Sequence, residues 1–149
     1  MNAFAIAAHR PSFGSLLGDI IHAAVTHVTA LRNYMADAVD AYIKSTGSAN
    51  ADGTLRIRAS TTTLVDFPFT DGFGAASSGV ITLQDVPIEV TAVADGTADN
   101  AQILDRGEAV AISCSVTATG MGGDIEVSNT SIATGQDCSL DSLTYESPA

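Results

Sequence analysis

The chain beyond Thr54 consists of short segments in which apolar and polar residues alternate, and this alternation constrains the fold more than any other feature. In the first segment, TLRIRAS, the apolar Leu55 and Ile57 alternate with Arg56 and Arg58. Successive side chains of a β-strand point to opposite faces of the sheet. The segment therefore predicts a half-buried strand with a basic outer row.

Further segments of the same kind follow, with turn-forming residues such as those of DRGE and GMGG between most of them. They are TTTLVDFPF, GVITLQD, PIEVTAVA, AQILD, EAVAISCSVTAT, DIEVSN and CSLDSLTYE. Short strands without helical spacers predict a mainly β fold, with an antiparallel β-sandwich or jelly-roll-like domain over residues 46–149. Pro68 lacks a backbone donor, so its strand is predicted to be an edge strand or to bend there.

A long N-terminal α-helix is predicted ahead of this domain, from Ser12 to about Lys44. Its apolar residues follow one another at alternating spacings of four and three, which is the heptad pattern of helices that pack together. These candidate interface residues are Leu17, Ile21, Ala24, Val28, Leu31, Met35, Ala38 and Tyr42. Residues 1–45 are therefore predicted to be a helical segment for attachment and oligomerisation.

A second apolar set widens this stripe, so the helix is expected to bury more than one side. The set consists of Leu16, Ile20, Ala23, Val25, Val39 and Ile43. Two arrangements satisfy the pattern. In the first, the helix packs in a bundle of its own copies or against another protein. In the second, it folds back onto its own β domain. The first arrangement predicts a homo-oligomer, with a trimer as the expected state.

The stretch FPFTDGFGAASSGVITLQD, residues 67–85, places its smallest residues between two predicted strands. Gly72, Gly74 and Gly79 permit backbone angles that other residues avoid, and the residues between Gly74 and Gly79 add almost no bulk. The stretch is predicted to cross between sheets or to lie flat against a neighbouring backbone. It is not a phosphate-binding loop, because no Lys, Arg or helix start follows the glycines.

The net charge of −11 is concentrated in the second part of the chain, where residues 60–149 carry Arg106 against thirteen acidic residues. Such a surface repels phosphate backbones, so nucleic-acid binding is not expected. No apolar run approaches the roughly 20 residues that span a bilayer, so no membrane association is expected either. The apolar start of the chain has no basic region ahead of it, which disfavours a secretory signal.

No catalytic, cofactor-binding or metal-binding residues are predicted, and the chain is not expected to be an enzyme. The histidines lie within the first 27 residues, and no Cys or His pair has zinc spacing. Asp124 and Glu126 alternate along one strand, which favours a solvated face over an acid–base couple. The loop ADGTADN lacks the closing Glu of a helix–loop–helix calcium site and is interpreted as an ordinary polar loop.

Cys114 and Cys138 fall in separate predicted strands and could meet across a sheet. Spacing alone does not decide whether they form a disulfide. The rarity of cytosolic disulfides favours two free thiols.

Several segments of the chain resemble a group of small proteins encoded by tailed bacteriophages and prophages. The segments are LRNYMADAVDAYI followed by GTLRIRAS, then DFPFTDGFGAASSGVITL, and finally GGDIEVSNTSIATGQDCSLDSLTYESP. Together they place the resemblance over residues 31–148. The resemblance implies a structural protein of the virion, assembled in the host cytoplasm, with no catalytic residues to carry over.

Within that class, the acidic β domain favours a capsid decoration (cement) protein on the outer capsid surface. Its expected partners are the major capsid protein or other virion proteins, together with copies of itself. The alternative is a collar, neck or tail-fibre component in which the heptad helix is used for docking. A carbohydrate-binding module is a third interpretation. The shortage of aromatic residues disfavours it, because the chain has no Trp and only three Tyr.

Overall fold

The computed structural model describes residues 26–45 and 52–149, in which one helix is followed by short strands. The elements are α1 (Thr29–Ser45), β1 (Thr54–Ala59), β2 (Thr62–Pro68), β3 (Val80–Thr82), β4 (Ile88–Thr91), β5 (Gly96–Thr97), β6 (Asn100–Leu104), β7 (Val110–Ala118), β8 (Ile125–Val127), β9 (Ser131–Ile132), β10 (Asp137–Leu140) and β11 (Thr144–Glu146). The prediction of a mainly β fold with a helix near its start is confirmed.

The largest sheet has five strands in the order β2-β1-β6-β7-β8. In β1, Leu55 and Ile57 are buried whereas the two arginines are only half-buried, so the predicted alternation is confirmed. The outward-facing Arg56 is directly opposite Asp66 of β2, and its guanidinium donates to both carboxylate oxygens at 2.8 Å. Strand β2 lies at the edge of the sheet and ends at Pro68, as its missing donor predicts.

The other strands form three two-stranded ladders, β10-β4, β11-β3 and β5-β9. All of these are antiparallel, but β8 runs parallel to β7, with Val116 opposite Ile125. The prediction of antiparallel pairing is therefore wrong for β7 and β8. Parallel neighbours usually need a long crossover. Here the chain turns through residues 119–124, where Gly120 and Gly122 have φ of +84° and +78°.

The helix begins later than predicted. Residues 26–28 are not helical, and the backbone of α1 begins with Leu31 N–H donating to the carbonyl of Val28 at 3.0 Å. A helix unbroken from Ser12 through Val28 is therefore wrong, and the predicted helical residues before 26 lie outside the described part of the chain. The sequence around the break is VTHVT, in which four of five residues are β-branched and lose side-chain freedom in a helix.

Helix α1 lies against its own β domain and shares its core. Ala36 and Ile43 are fully buried and belong to the same apolar cluster as Phe69, Phe73 and Leu83. The helix therefore adopts the folded-back arrangement on this face.

The last turn of α1 is capped from the turn between β6 and β7. Arg106 N–H donates to the carbonyl of Ile43 at 3.0 Å, and its guanidinium donates to the carbonyl of Lys44 at 3.4 Å. A helix leaves its last four carbonyls without partners inside the helix. A cation near that end also interacts favourably with the helix dipole. The contact therefore fixes the end of α1 to the five-stranded sheet.

Replacing Ile43 by Ala tests whether the helix and the β domain fold as one unit. Because Ile43 is fully buried, we expect the substitution to lower the free energy of unfolding by about 2–5 kcal/mol. Val93, an exposed apolar residue of the β domain, provides the control, and Val93→Ala should change it by less than about 0.5 kcal/mol. Urea denaturation measures both. Equal effects of the two substitutions would contradict the shared core.

Candidate functional site

The small-residue stretch between β2 and β3 lies along helix α1 and is bonded to it at three points. Three backbone N–H groups, each three residues after the last, donate to side-chain oxygens on successive turns of the helix. The pairs are Phe73 with Asp40 (2.9 Å), Ala76 with Asp37 (2.7 Å) and Gly79 with Asn33 (2.7 Å). We call these three bonds the α1 ladder. They explain why the stretch is small, because its backbone must approach the helix surface closely.

Glycine is required where this approach is tightest. Gly79 has a φ of +83°, and a Cβ added there would lie 2.8–2.9 Å from atoms of the Arg32 side chain. Gly72 has a φ of +63° and faces the side chain of Lys44. Gly74 is not among the residues with positive φ, and a Cβ there would meet the side chain of Gln84. The stretch therefore depends on its two outer glycines for backbone conformation.

All four charged residues of α1 are engaged with the β domain or with each other. Arg32 donates to Glu146 at 2.6 Å, and Asp37 belongs to the α1 ladder. Asp40 belongs to the ladder as well and also pairs with Lys44 at 2.8 Å. The opposite face of the helix is therefore mainly apolar, with the exposed Asp37 at its border.

That opposite face carries a stripe of exposed apolar residues, which we call the α1 outer face. Its large members are Leu31 (44% exposed), Tyr34 (73%) and Tyr42 (54%), accompanied by the exposed Ala38 and Ala41, and Val28 (71%) is exposed just before the helix begins. A shallow cavity of about 450 Å³ lies between the two tyrosines and is also lined by Asp37. Exposed apolar surface of this kind commonly marks a contact site for another protein.

The α1 outer face contains most of the predicted interface residues that the structure describes. Leu31, Ala38 and Tyr42 are exposed on it, Met35 is half-buried, and Val28 is exposed but precedes the helix. Leu17, Ile21 and Ala24 lie outside the described residues. The heptad pattern omitted Tyr34, although Tyr34 follows Leu31 by three positions and precedes Ala38 by four. These are the spacings that place residues on one face of a helix.

A second candidate site is a groove of about 700 Å³ in the β domain. Its floor includes Leu55 and Ile57 of the large sheet, and its walls are the runs 124–129 and 136–144. We call it the β8–β10 groove.

Carboxylates on the rim of this groove are held in place by backbone amides. Asp124 accepts from Ser115 N–H at 2.8 Å, and Glu126 accepts from Gly120 and Gly122 N–H at 3.1 and 2.8 Å. These hydrogen bonds lower the pKa of both carboxyl groups below their usual values. Both groups are therefore negatively charged at neutral pH. Two ionised carboxylates have no proton to exchange, so they are not an acid–base couple.

The carboxylates of the polar loop ADGTADN accept hydrogen bonds from turns that are distant in the sequence. Asp95 accepts from Thr134 N–H, and Asp99 accepts from Ser60 N–H at 2.9 Å. Within residues 26–45 and 52–149, no three His, Cys, Asp or Glu side chains are grouped so that they could hold a metal ion.

The two cysteines are free thiols in the structure. Burial is the main cause that raises the pKa of both Cys114 and Cys138, which disfavours the reactive thiolate form. The described residues also contain no helix with the length and hydropathy needed to cross a membrane.

Comparisons with protein-family models, with curated proteins and with solved structures gave no significant match.

Substitution of Gly79 tests the close approach of the small-residue stretch to α1. Gly79→Ala places a methyl group against Arg32 at a positive φ, so we expect a loss of about 1–3 kcal/mol in the free energy of unfolding. Gly135→Ala is the matched control, because Gly135 has a similar φ of +81° but nothing within 4 Å of the added carbon. Thermal or urea denaturation gives the difference. Equal losses would show that backbone conformation alone, and not contact with Arg32, requires the glycine.

The hydrogen bonds that Glu126 accepts from the turn after β7 should be lost in acid. Since its folded pKa lies below the reference value of 4.5, its contribution to stability is present above that pH and is lost as pH falls through the folded pKa. In an NMR titration, we expect the amide signals of Gly120 and Gly122 to shift with the same midpoint as the Glu126 carboxyl. In Glu126→Gln those shifts should disappear. Glycine amides that keep titrating in that variant would contradict the assignment.

Proposed function

We propose that this protein is a structural component of a bacteriophage virion, and specifically a capsid decoration protein that assembles through the α1 outer face. The resemblance of residues 31–148 to small phage proteins supports the class. The observation that carries the mode of assembly is the exposed apolar stripe of a helix whose charged residues bond to the β domain or to each other.

Other copies of α1 are the proposed occupants of this face, in a homo-oligomer that we take to be a trimer. Leu17, Ile21 and Ala24 of the predicted interface set lie outside the described residues, so the proposal depends on Leu31, Tyr34, Ala38 and Tyr42 of α1. Burying apolar surface is favourable by about 25 cal/mol per Å². Three copies that cover their tyrosines and Leu31 together would remove this surface from water.

The acidic β domain is the proposed outer part of the assembled protein on the virion. Residues 60–149 carry most of the negative charge, and negative charge keeps an exposed surface soluble. We further propose that the two-stranded ladders pack over the five-stranded sheet as a second layer, giving a sandwich or jelly-roll-like domain. The β8–β10 groove supports this proposal, because the large sheet forms its floor and residues of β10 form one wall.

A collar, neck or tail-fibre component is the second candidate, and the same helix supports it. In that arrangement the α1 outer face docks into a socket on another virion protein. The copy number per particle separates the two candidates. Quantified protein gels of purified virions should show a copy number comparable with that of the major capsid protein for a decoration protein. A copy number close to that of the tail proteins would favour the second candidate.

Leu31→Asp tests assembly through the α1 outer face. A charge buried without a partner is costly, so we expect the variant to sediment as a 15.2 kDa monomer while the unaltered protein forms an oligomer. Val93→Asp makes the same change at an exposed apolar residue of the β domain and should leave the oligomer intact. Analytical ultracentrifugation measures both, and circular dichroism checks that both variants fold. An unaltered protein that is monomeric at all concentrations would contradict self-association.

A further inference from the structure

The sequence contains three Asp-Gly pairs, at residues 52–53, 71–72 and 95–96. An aspartate that precedes glycine is open to isomerisation, because glycine has no side chain to obstruct attack of its backbone nitrogen on the aspartate side chain. The first and third pairs lie in the same four-residue sequence, ADGT, and the second lies in TDGF. The chain therefore places the same chemistry in three different surroundings.

The reaction has two steps and needs no oxidant or cofactor. The glycine nitrogen attacks Cγ of the protonated aspartate, so that a new N–Cγ bond forms, the Cγ–OH bond breaks, and water leaves with the amide proton. Water then opens the resulting succinimide ring. Opening at the side-chain carbonyl restores aspartate, whereas opening at the main-chain carbonyl gives isoaspartate, in which the backbone runs through Cβ and Cγ. A carboxyl group that is free to turn toward the next nitrogen is the requirement.

The carboxyl group of Asp95 is not free in this way. It accepts the N–H of Thr134, and this bond lowers the pKa of Asp95 and disfavours the protonated form that reacts. The following glycine, Gly96, is paired with Ile132 in the β5-β9 ladder. Strand pairing thus restrains the nitrogen that would attack.

The carboxyl group of Asp52 is also engaged. It forms an ion pair with Arg106 at 3.8 Å. The backbone on both sides of the reacting peptide bond is held by Phe69, since Asp52 N–H donates to the Phe69 carbonyl at 2.8 Å and Phe69 N–H donates to the Gly53 carbonyl at 2.9 Å. This pair is therefore restrained at its side chain and at its backbone.

Asp71 is the exception among the three. It is exposed, and within residues 26–45 and 52–149 its carboxyl group has no hydrogen-bond or ion-pair partner. The Gly72 N–H, which is the other reacting group, donates no hydrogen bond to a described residue either. Both groups that must meet in the reaction are therefore unengaged.

Isomerisation at this position would act on the α1 ladder. Isoaspartate adds one carbon to the backbone, which is about 1.5 Å of chain, whereas N–H···O hydrogen bonds vary in length by only about 0.5 Å. Immediately after Asp71, Gly72 is buried against the Lys44 side chain and its carbonyl accepts Gln84 N–H at 2.8 Å. The next residue, Phe73, donates to Asp40 as the first bond of the ladder. The added length cannot be absorbed there with that bond intact.

We propose that Asp71 is a site of spontaneous isoaspartate formation in this protein, and that its conversion releases the Phe73–Asp40 bond of the α1 ladder. The modification loosens the attachment of the small-residue stretch to the helix as the protein ages. The inference does not depend on the proposed place of the protein in a virion.

Peptide mapping of the full chain, incubated folded at neutral pH, measures isoaspartate at all three positions. We expect it to form about tenfold faster at Asp71 than at Asp52 or Asp95, which corresponds to about 1.4 kcal/mol in activation free energy. Asp71→Glu keeps the charge but would have to form a six-membered ring, so no isomer should form at position 71 while the other two rates stay unchanged. Equal rates at the three aspartates of the unaltered protein would overturn the proposal.

Incubation of the same chain unfolded in urea separates the effect of the structure from that of the sequence. Without the fold, the two ADGT pairs should react at one rate, and the advantage of Asp71 over them should disappear. An advantage of Asp71 that is equally large in urea would overturn the structural argument, because it would then come from the neighbouring residues alone.

Hydrogen exchange followed by NMR tests the effect on the ladder. In the isoaspartate form, separated by chromatography, we expect the Phe73 amide to exchange about tenfold faster than in the unmodified protein, because a hydrogen bond to a charged group contributes at least that much. The Ala98 amide, which donates to the Thr130 carbonyl at 2.8 Å, is the control and should be unchanged. A Phe73 amide that exchanges at the same rate in both forms would overturn the release of this bond, and a Phe73 and Ala98 pair that accelerate equally would replace it with general unfolding.

Discussion

The α1 ladder is the interaction on which the rest of this structure depends. Three side-chain oxygens on one face of the helix accept backbone N–H groups from the stretch between β2 and β3. The ladder fixes the rotation of the helix about its own axis, and so it decides which residues face the core and which face away. Ile43 and Ala36 are placed in the core by this rotation, and the tyrosines are placed outside.

The same rotation explains why the α1 outer face is apolar. A surface helix normally directs its charged residues away from the core. Here Arg32, Asp37 and Asp40 bond to the backbone and side chains of the β domain, and of these Asp37 stays exposed at the border of the outer face. The helix thus presents apolar surface on two sides, one covered by its own domain and the other uncovered. This is why both arrangements that the heptad pattern allows apply to one helix.

Elements with a regular pattern of apolar residues could be predicted from the sequence. Elements that depend on contacts between distant residues could not. The strands in which apolar and polar residues alternate were predicted. Strands β5 and β9 have two residues each, which is too short to show an alternation. The parallel pairing of β8 depends on a turn held by Glu126, which residue spacing does not show. Five of the eight predicted interface residues lie in the described part of the chain, and four of them are exposed. The α1 ladder was beyond prediction, because its partners lie 33 to 46 positions apart.

The negative charge of this protein has a structural role as well as a solvating one. Strands of two to four residues make few backbone hydrogen bonds of their own, so many N–H groups in the connecting turns need other acceptors. Six carboxylates in the described part of the chain accept such groups: Asp37, Asp40, Asp95, Asp99, Asp105 and Glu126. A seventh, Asp124, accepts the N–H of Ser115 within β7. A carboxylate accepts several hydrogen bonds and donates none when ionised, which suits it to this task. The acidic composition that the sequence suggested as a property of the surface is therefore also part of what joins the short strands into one fold.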